Sequence, residues 1–209
     1  MVLTVLGSVK EWDKAADTYD QWFRTEFGSF IFQIELIMLR RALMHNGVRG
    51  RLLDVGCGTG LFTVSVAGSN YEKIGIDTSV RMATRAKGCG VEVIVGDAHH
   101  LPFKNKVFDA VMLFTTLEFL NEEYALREVH RILTVGGDAV VGVHNLLNSW
   151  NWYRKIRALF KKKSFYKSIR YYSPSRLTDI LGSKGFYVKS ISSSFFLPCL
   201  IKLPFIGKI

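Results

Sequence analysis

Apolar positions change their spacing near residues 48 and 148. Between residues 9 and 45 they recur every three or four positions, which predicts two helices. The first, over 9–27, gathers Trp12, Ala15, Ala16, Tyr19, Trp22 and Phe23 and stops at Gly28. The second, over 30–45, gathers Ile34, Ile37, Met38 and Leu43 and ends at Asn46-Gly47. Beyond it, short apolar runs alternate with helical stretches. Strands are predicted at Arg51–Val55, Lys73–Asp77, Val91–Val95, Phe108–Phe114 and Asp138–Val143. Helices are predicted at Leu61–Ala67, Val80–Lys87 and Glu122–Leu133. Asn121 can cap the last of these, and Glu122 and Glu123 sit where the helix dipole favours anions. Leu126, Val129, Ile132 and Leu133 form its apolar stripe, and Gly136-Gly137 turns the chain into the next strand. Strands alternating with helices imply right-handed crossovers and parallel pairing. The fold class is α/β, a doubly wound, mostly parallel sheet with N-terminal helices, and such sheets bind ligands beyond the carboxyl ends of their strands.

From residue 150 the helical spacing returns. WNWYRKIRALFKKK (150–163) places Trp152, Ile156, Leu159 and Phe160 on one face and Arg154, Arg157, Lys161 and Lys162 largely on the other. The charge follows the same division. Of the 28 basic residues, 13 lie in 150–209, where Asp179 is the lone acid, so the net charge of +10 belongs to that segment. At 209 residues the chain reads as one domain: a helical cap over 1–48, a ligand-binding core over 49–147, and a basic segment with the last strands and an apolar tail over 148–209. With 48% hydrophobic and 22% charged residues, wholesale disorder is excluded. Apolar runs stop well short of the roughly 18 residues of a spanning helix. MVLTVLGSVKEW lacks the features of a secretory leader. Cys57, Cys89 and Cys199 form no CxxC pair, so neither a disulfide framework nor a zinc site is expected. A cytoplasmic setting fits best.

LLDVGCGTG (Leu52–Gly60) carries the chemistry. An apolar strand leads to Asp54, and Gly56, Gly58 and Gly60 then alternate with small residues before a helix start at Leu61. Glycines there let a ligand approach main-chain N–H groups and the positive end of the helix. Asp77 ends the next strand, where a carboxylate can take both hydroxyls of a ribose. In a dinucleotide fingerprint, the third glycine falls three residues after the second. Here Leu61 occupies that position and the spacing is GxGxG, which argues against a nicotinamide cofactor. A tight strand-to-helix turn without a ligand is the bland alternative.

Between about Tyr19 and Phe186 the sequence resembles class I S-adenosylmethionine-dependent methyltransferases of the UbiE-like, or type 11, group. LLDVGCGTG looks like the first family motif and GIDTSVRM (Gly75–Met82) like the second. GDAHHLPF (Gly96–Phe103) is similar to the adenine segment, and FDAVMLFTTLEFL (Phe108–Leu120) to the fourth strand and its loop. LREVHRILTVGG (Leu126–Gly137) matches the helix and turn before strand five, although Thr134-Val135 replaces the usual Lys-Pro. The resemblance implies a Rossmann-like fold, S-adenosylmethionine as cofactor, S-adenosylhomocysteine as product and a small-molecule or lipid-like acceptor. It implies that Gly56, Gly58 and Gly60 frame the methionine part and that Asp54 reaches its amino group. By the same resemblance Asp77 and Thr78 flank the ribose, Met82, Asp97 and Ala98 meet the adenine, Phe114 lies near the sulfonium, and Tyr19 covers the carboxylate end. Asp97 could instead cap a helix, the weaker of its two readings, and Tyr19 reads equally as helix packing. Cys57 reads as a small spacer.

Methyl transfer needs a base only if the acceptor arrives protonated. Glu118, His99, His100 and His144 are the candidates. Glu118 reads as a solvent-exposed carboxylate, as most glutamates are, and no catalytic residue is assigned. By the resemblance, 150–163 forms a lid over the acceptor, with a helix at Ser175–Ser183 and a strand at Phe186–Ser192 following. The basic segment and the apolar 195–209 would also suit peripheral contact with an anionic membrane surface. Nucleic acid ranks behind it, because no RNA-binding module is present. The contrasting reading is a non-catalytic protein of this fold that binds membrane or nucleic acid through its basic segment.

Overall fold

The computed structural model describes residues 9–44, 50–66, 71–148, 151, 156 and 169–193. The order is α1 (Val9–Ala15), a 3₁₀ helix (Tyr19–Arg24), α2 (Glu26–Met44), β1 (Gly50–Val55), α3 (Leu61–Val66), β2 (Tyr71–Asp77), α4 (Val80–Gly88), β3 (Glu92–Val95) and β4 (Phe108–Phe114). A 3₁₀ turn (Leu117–Phe119), α5 (Glu122–Ile132), β5 (Leu133–Gly142) and α6 (Pro174–Ser183) follow. The five strands are all parallel, in the order β3-β2-β1-β4-β5. The order reverses direction at β1, so the loops after β1 and β4 open side by side at the carboxyl edge.

Burial explains the layers. Leu52, Leu53 and Val55 of β1 and Ala110–Leu113 of β4 are fully buried, as expected of central strands covered on both faces. On one face Leu126, Val129 and Ile132 of α5 pack against Leu53, Val111 and Leu113. On the other, Leu36, Leu39 and Leu43 of α2 pack against Leu52, Ala110 and Met112. Asn121 caps α5 by accepting from Glu123 N at 3.0 Å, and Ser173 caps α6 with Pro174 in its first turn.

Four expectations need correction. The helix expected over 9–27 is broken at 16–18 and tightens into the 3₁₀ helix. Gly28 does not stop it but lies inside α2, whose first turn is capped by Thr25 Oγ1 accepting from Gly28 N at 3.0 Å. A Cβ at Gly28 would come within 1.9 Å of Trp22 O, so this glycine serves close approach, not termination. Residues 133–137 belong to β5, which pairs with Phe108 through a register shift between Phe108 and Ala110. No strand forms over 186–192, although Lys189 Nζ lies 2.5 Å from Asp138 Oδ1 and Asn145 Nδ2 donates to Ser193 Oγ. Apart from Asn151 and Ile156, the lid expected over 150–163 lies outside the described residues, as does the apolar tail.

Candidate active site

The glycine loop is bound to the ends of both neighbouring strands. Gly56 N and Cys57 N donate to Ile76 O, at 2.7 and 3.2 Å. Asp77 Oδ2 accepts from Gly58 N at 2.9 Å, and its Oδ1 accepts from Ser79 N at 2.8 Å. The Asp77 carboxylate thus fixes the loop to the start of α4. Burial raises its pKa, which the Ser79 and Gly58 N–H groups oppose. At Gly58, φ is +55° and an added Cβ would meet nothing within 4 Å, so the loop faces open space there. At Gly56 an added Cβ would lie 2.4 Å from Thr116 Cγ2, and that glycine lets β1 and β4 close at their tips. Cys57 packs beneath Gly75, and burial drives its thiol far up, leaving it protonated and inert.

Asp54 is almost fully buried, and its Oδ2 accepts from Thr63 Oγ1 at 2.6 Å. Burial pushes its pKa up to about 7, against the Thr63 hydrogen bond, with a smaller push from the Asp77 charge. Asp97 is half-exposed and makes a local turn in which its Oδ1 accepts from His99 N and His99 Nδ1, at 2.9 and 2.6 Å. It caps no helix. Its pKa is lowered; burial works against this, and the His99 contacts outweigh it. His99 Nε2 accepts from Asn121 N at 2.9 Å, so this imidazole joins the loop after β3 to the start of α5.

Two cavities meet at the carboxyl edge. The smaller is lined by Tyr19, Asp54, Gly56, Gly58, Thr59 and Phe114, among others. The larger is lined by Trp12, Phe23, Ile31, Met38, Phe119 and His144, among others. Tyr19, Phe62, Phe114 and Thr115 line both. Thr115 sits at the junction with φ +52°, a strained conformation for a β-branched residue, held by its N–H to Gly142 O at 2.8 Å. Of the residues picked from sequence, Tyr19, Asp54, Gly56, Gly58 and Phe114 share the smaller cavity. Gly60, Asp77, Thr78, Met82, Asp97 and Ala98 do not line it. Thr78 is exposed, Met82 is buried, and Ala98 is in the core beside α5.

The sequence reading missed the contacts of the cap. Asp13 Oδ1 accepts from Ser79 Oγ at 2.5 Å, Asp17 pairs with Arg81 and Arg85, and Asp20 Oδ1 accepts from Thr59 Oγ1 at 2.7 Å. The signal was present as acids at helical spacing facing Arg81 and Arg85, four apart on α4. Glu118, expected in solvent, is fully buried. Its Oε1 accepts from His144 N and His144 Nδ1, at 2.8 and 2.7 Å.

Residues 53–141 match the methyltransferase domain family model Methyltransf_11. A solved SAM-dependent methyltransferase of Thermotoga maritima, a possible histamine N-methyltransferase (TM1293), is 30% identical with a TM-score of 0.67, over 85% of this chain and 80% of that one. The chain belongs to the S-adenosylmethionine-dependent methyltransferases. Protein MJ1123 of Methanocaldococcus jannaschii is 34% identical over 176 residues, 83% of this methyltransferase and 80% of its relative. A demethylmenaquinone methyltransferase of Mycolicibacterium vanbaalenii is 37% identical over 92 residues, 44% of this chain and 40% of that one. The methyltransferase therefore uses S-adenosylmethionine. Among its described residues no helix is long and apolar enough to cross a membrane, and no three His, Cys, Asp or Glu gather as metal ligands.

Proposed function

We propose that this methyltransferase transfers the methyl group to a small or lipid-like molecule held in the larger cavity, beside Phe114 and Thr115. When bound, S-adenosylmethionine supplies an electrophilic methyl on a sulfonium and departs as a neutral thioether. The residues of the glycine loop fit it. The open space over Gly58 accepts a ligand against main-chain N–H groups, and Asp54 offers a buried carboxylate for an ammonium. Asp77 retains unshared lone pairs for two hydroxyls while holding Gly58 and Ser79. Asp97, Ala98, Met82 and Thr78 would take the adenine and ribose edge, Gly60 the helix side, and Tyr19 the cover. Asp13, Asp17 and Asp20 hold that cover down.

The observation that carries the acceptor reading is the shared wall. Tyr19, Phe62, Phe114 and Thr115 separate a small cleft from a large one that is lined by aromatic and aliphatic side chains, among them Trp12, Phe23, Ile31 and Phe119, together with polar ones such as Glu35, Asn145 and Asn151. The aromatic wall excludes water from the transfer and favours an apolar acceptor body. Incubating cell extract with isotopically labelled methyl donor and the protein, followed by mass spectrometry, tests this. Label should appear in a low-molecular-weight, apolar fraction; label confined to protein or RNA would refute the acceptor class. The positive charge beyond residue 149 supports a further contact with anionic lipid. Flotation with phosphatidylglycerol vesicles should retain the chain at low salt and release it at high salt, and no retention at low salt would remove that contact.

A further inference from the structure

We infer that His144, oriented by the buried Glu118, takes a proton from the acceptor, and that the acceptor therefore carries an O–H or N–H group. This rests on the methyl-transfer reading above. Glu118 stands in the 3₁₀ turn after β4 and His144 just beyond β5, so parallel pairing of Phe114 with Gly142 brings both to one edge. Glu118 Oε1 accepts both the backbone N–H and the Nδ1–H of His144. In the neutral imidazole that contact places the hydrogen on Nδ1 and the lone pair on Nε2. No described residue hydrogen-bonds to Nε2, and His144 lines the same cavity as Phe114 and Thr115. The backbone on either side is fixed too: Tyr172 N donates to His144 O at 3.1 Å, and Leu146 N donates to Tyr172 O at 2.8 Å.

The second Glu118 oxygen, Oε2, is buried and has no hydrogen-bond partner among the described residues. It lies beside the imidazole, so a proton carried onto the ring during the reaction would sit against this oxygen's carboxylate. Among the described residues, few other charged and titratable groups face the pair. Arg170 Nε approaches Glu118 O at 3.5 Å, and its guanidinium lies 3.6 Å from Glu122. The Tyr171 ring lies 6.0 Å from the imidazole, and the Tyr172 hydroxyl donates to Glu122. In the proposed step the acceptor's O–H or N–H bond breaks, its electron pair stays on the nucleophilic atom, and the proton joins Nε2. Solvent later removes it. His144 is the catalytic residue here, and Glu118 is a positioning residue.

Nitrogen-15 NMR of the full chain, without ligand, gives the first readout, with His144 identified by comparison with His144→Gln. Wild type should show the neutral Nδ1–H tautomer, and Glu118→Ala should shift it toward Nε2–H. A wild-type Nε2–H tautomer, or no change in Glu118→Ala, would overturn the inference. The second readout uses phenols graded from phenol to pentafluorophenol, with labelled methyl donor. His144→Gln should lower kcat about 10²–10⁴-fold for weakly acidic phenols and little for those already ionised. Glu118→Asp should recover part of the rate lost in Glu118→Ala. An equal loss across the series, or none, would contradict proton transfer. S-adenosylmethionine should bind His144→Gln as it binds wild type; a wild type that binds none would instead retire the methyl-transfer reading.

Discussion

The two halves of the carboxyl edge are built differently. Around β1 and β2 the polar groups are engaged one by one: Asp77 with the main chain of Gly58 and Ser79, Asp54 with Thr63, Ile76 with the loop, and Thr59 and Ser79 with Asp20 and Asp13 of the cap. Around β4 and β5 the wall mixes aromatic and aliphatic side chains with a few polar ones, and among the described residues the buried Glu118 meets His144, 26 positions away. The contrast teaches what each half recognises. A dense, directional lattice suits a ligand of fixed shape. An apolar wall with one placed imidazole suits a body recognised mainly by size and burial, and oriented at a single polar group.

Substitutions in the first half should therefore change cofactor affinity, and those in the second, outside the shared wall of Phe114 and Thr115, should change turnover or stability alone. The largest effect is expected at Gly58→Val. Its side chain would enter the open space above the loop, and calorimetry should show S-adenosylmethionine affinity reduced roughly 100-fold or more, about 3 kcal/mol. Gly58→Ala would incur a similar backbone strain of about 1–2 kcal/mol from the positive φ, with a much smaller loss of affinity. Equal losses for the two would mean that strain, not a ligand, explains the glycine.

Asp54 gives a pH test. Its folded pKa of about 7 lies above its ordinary value of 3.8, so its contribution to stability is complete below about pH 4 and is lost as pH rises through 7. The change is on the order of a few kcal/mol. Denaturant unfolding between pH 4 and 8 should show this decline in wild type and a flatter profile in Asp54→Asn. Matching profiles would assign the pH dependence elsewhere. Next in size, Asp77→Ala should weaken S-adenosylmethionine binding by about 1.5–3 kcal/mol, the scale of hydrogen bonds to a charged group. Glu118→Ala should leave that affinity unchanged but cost about 1–3 kcal/mol of stability, since two His144 N–H groups lose their acceptor. A change in cofactor affinity there would erase the distinction between the halves. The smallest effect is expected at Asp20→Ala, which releases Thr59 and should weaken binding by about 1 kcal/mol.

The same contrast explains what could be read in advance. The parallel sheet, its first four strands and the glycine loop were legible, because each depends on residues a few positions apart: alternating apolar runs, GxGxG, an aspartate at a strand end. Gly28 was misread because a glycine that permits close approach looks the same in sequence as one that ends a helix; the Trp22 carbonyl it accommodates appears only in three dimensions. Glu118 was misread for a related reason. Its partner lies across a strand pairing, and burial of a carboxylate becomes acceptable only when that partner is present. The break at 16–18 escaped notice because apolar spacing continues through it, while the chain turns so that Asp13, Asp17 and Asp20 reach α4 and the glycine loop.

Calorimetric titration of the intact chain with S-adenosylmethionine and with S-adenosylhomocysteine is the most direct test of the central claim, run beside Gly58→Val. One molecule of either should bind per wild-type chain, each excluding the other, and the variant should bind roughly 100-fold more weakly or worse. No heat from wild type with either compound, or equal heat from both proteins, would contradict the assignment of the glycine cleft.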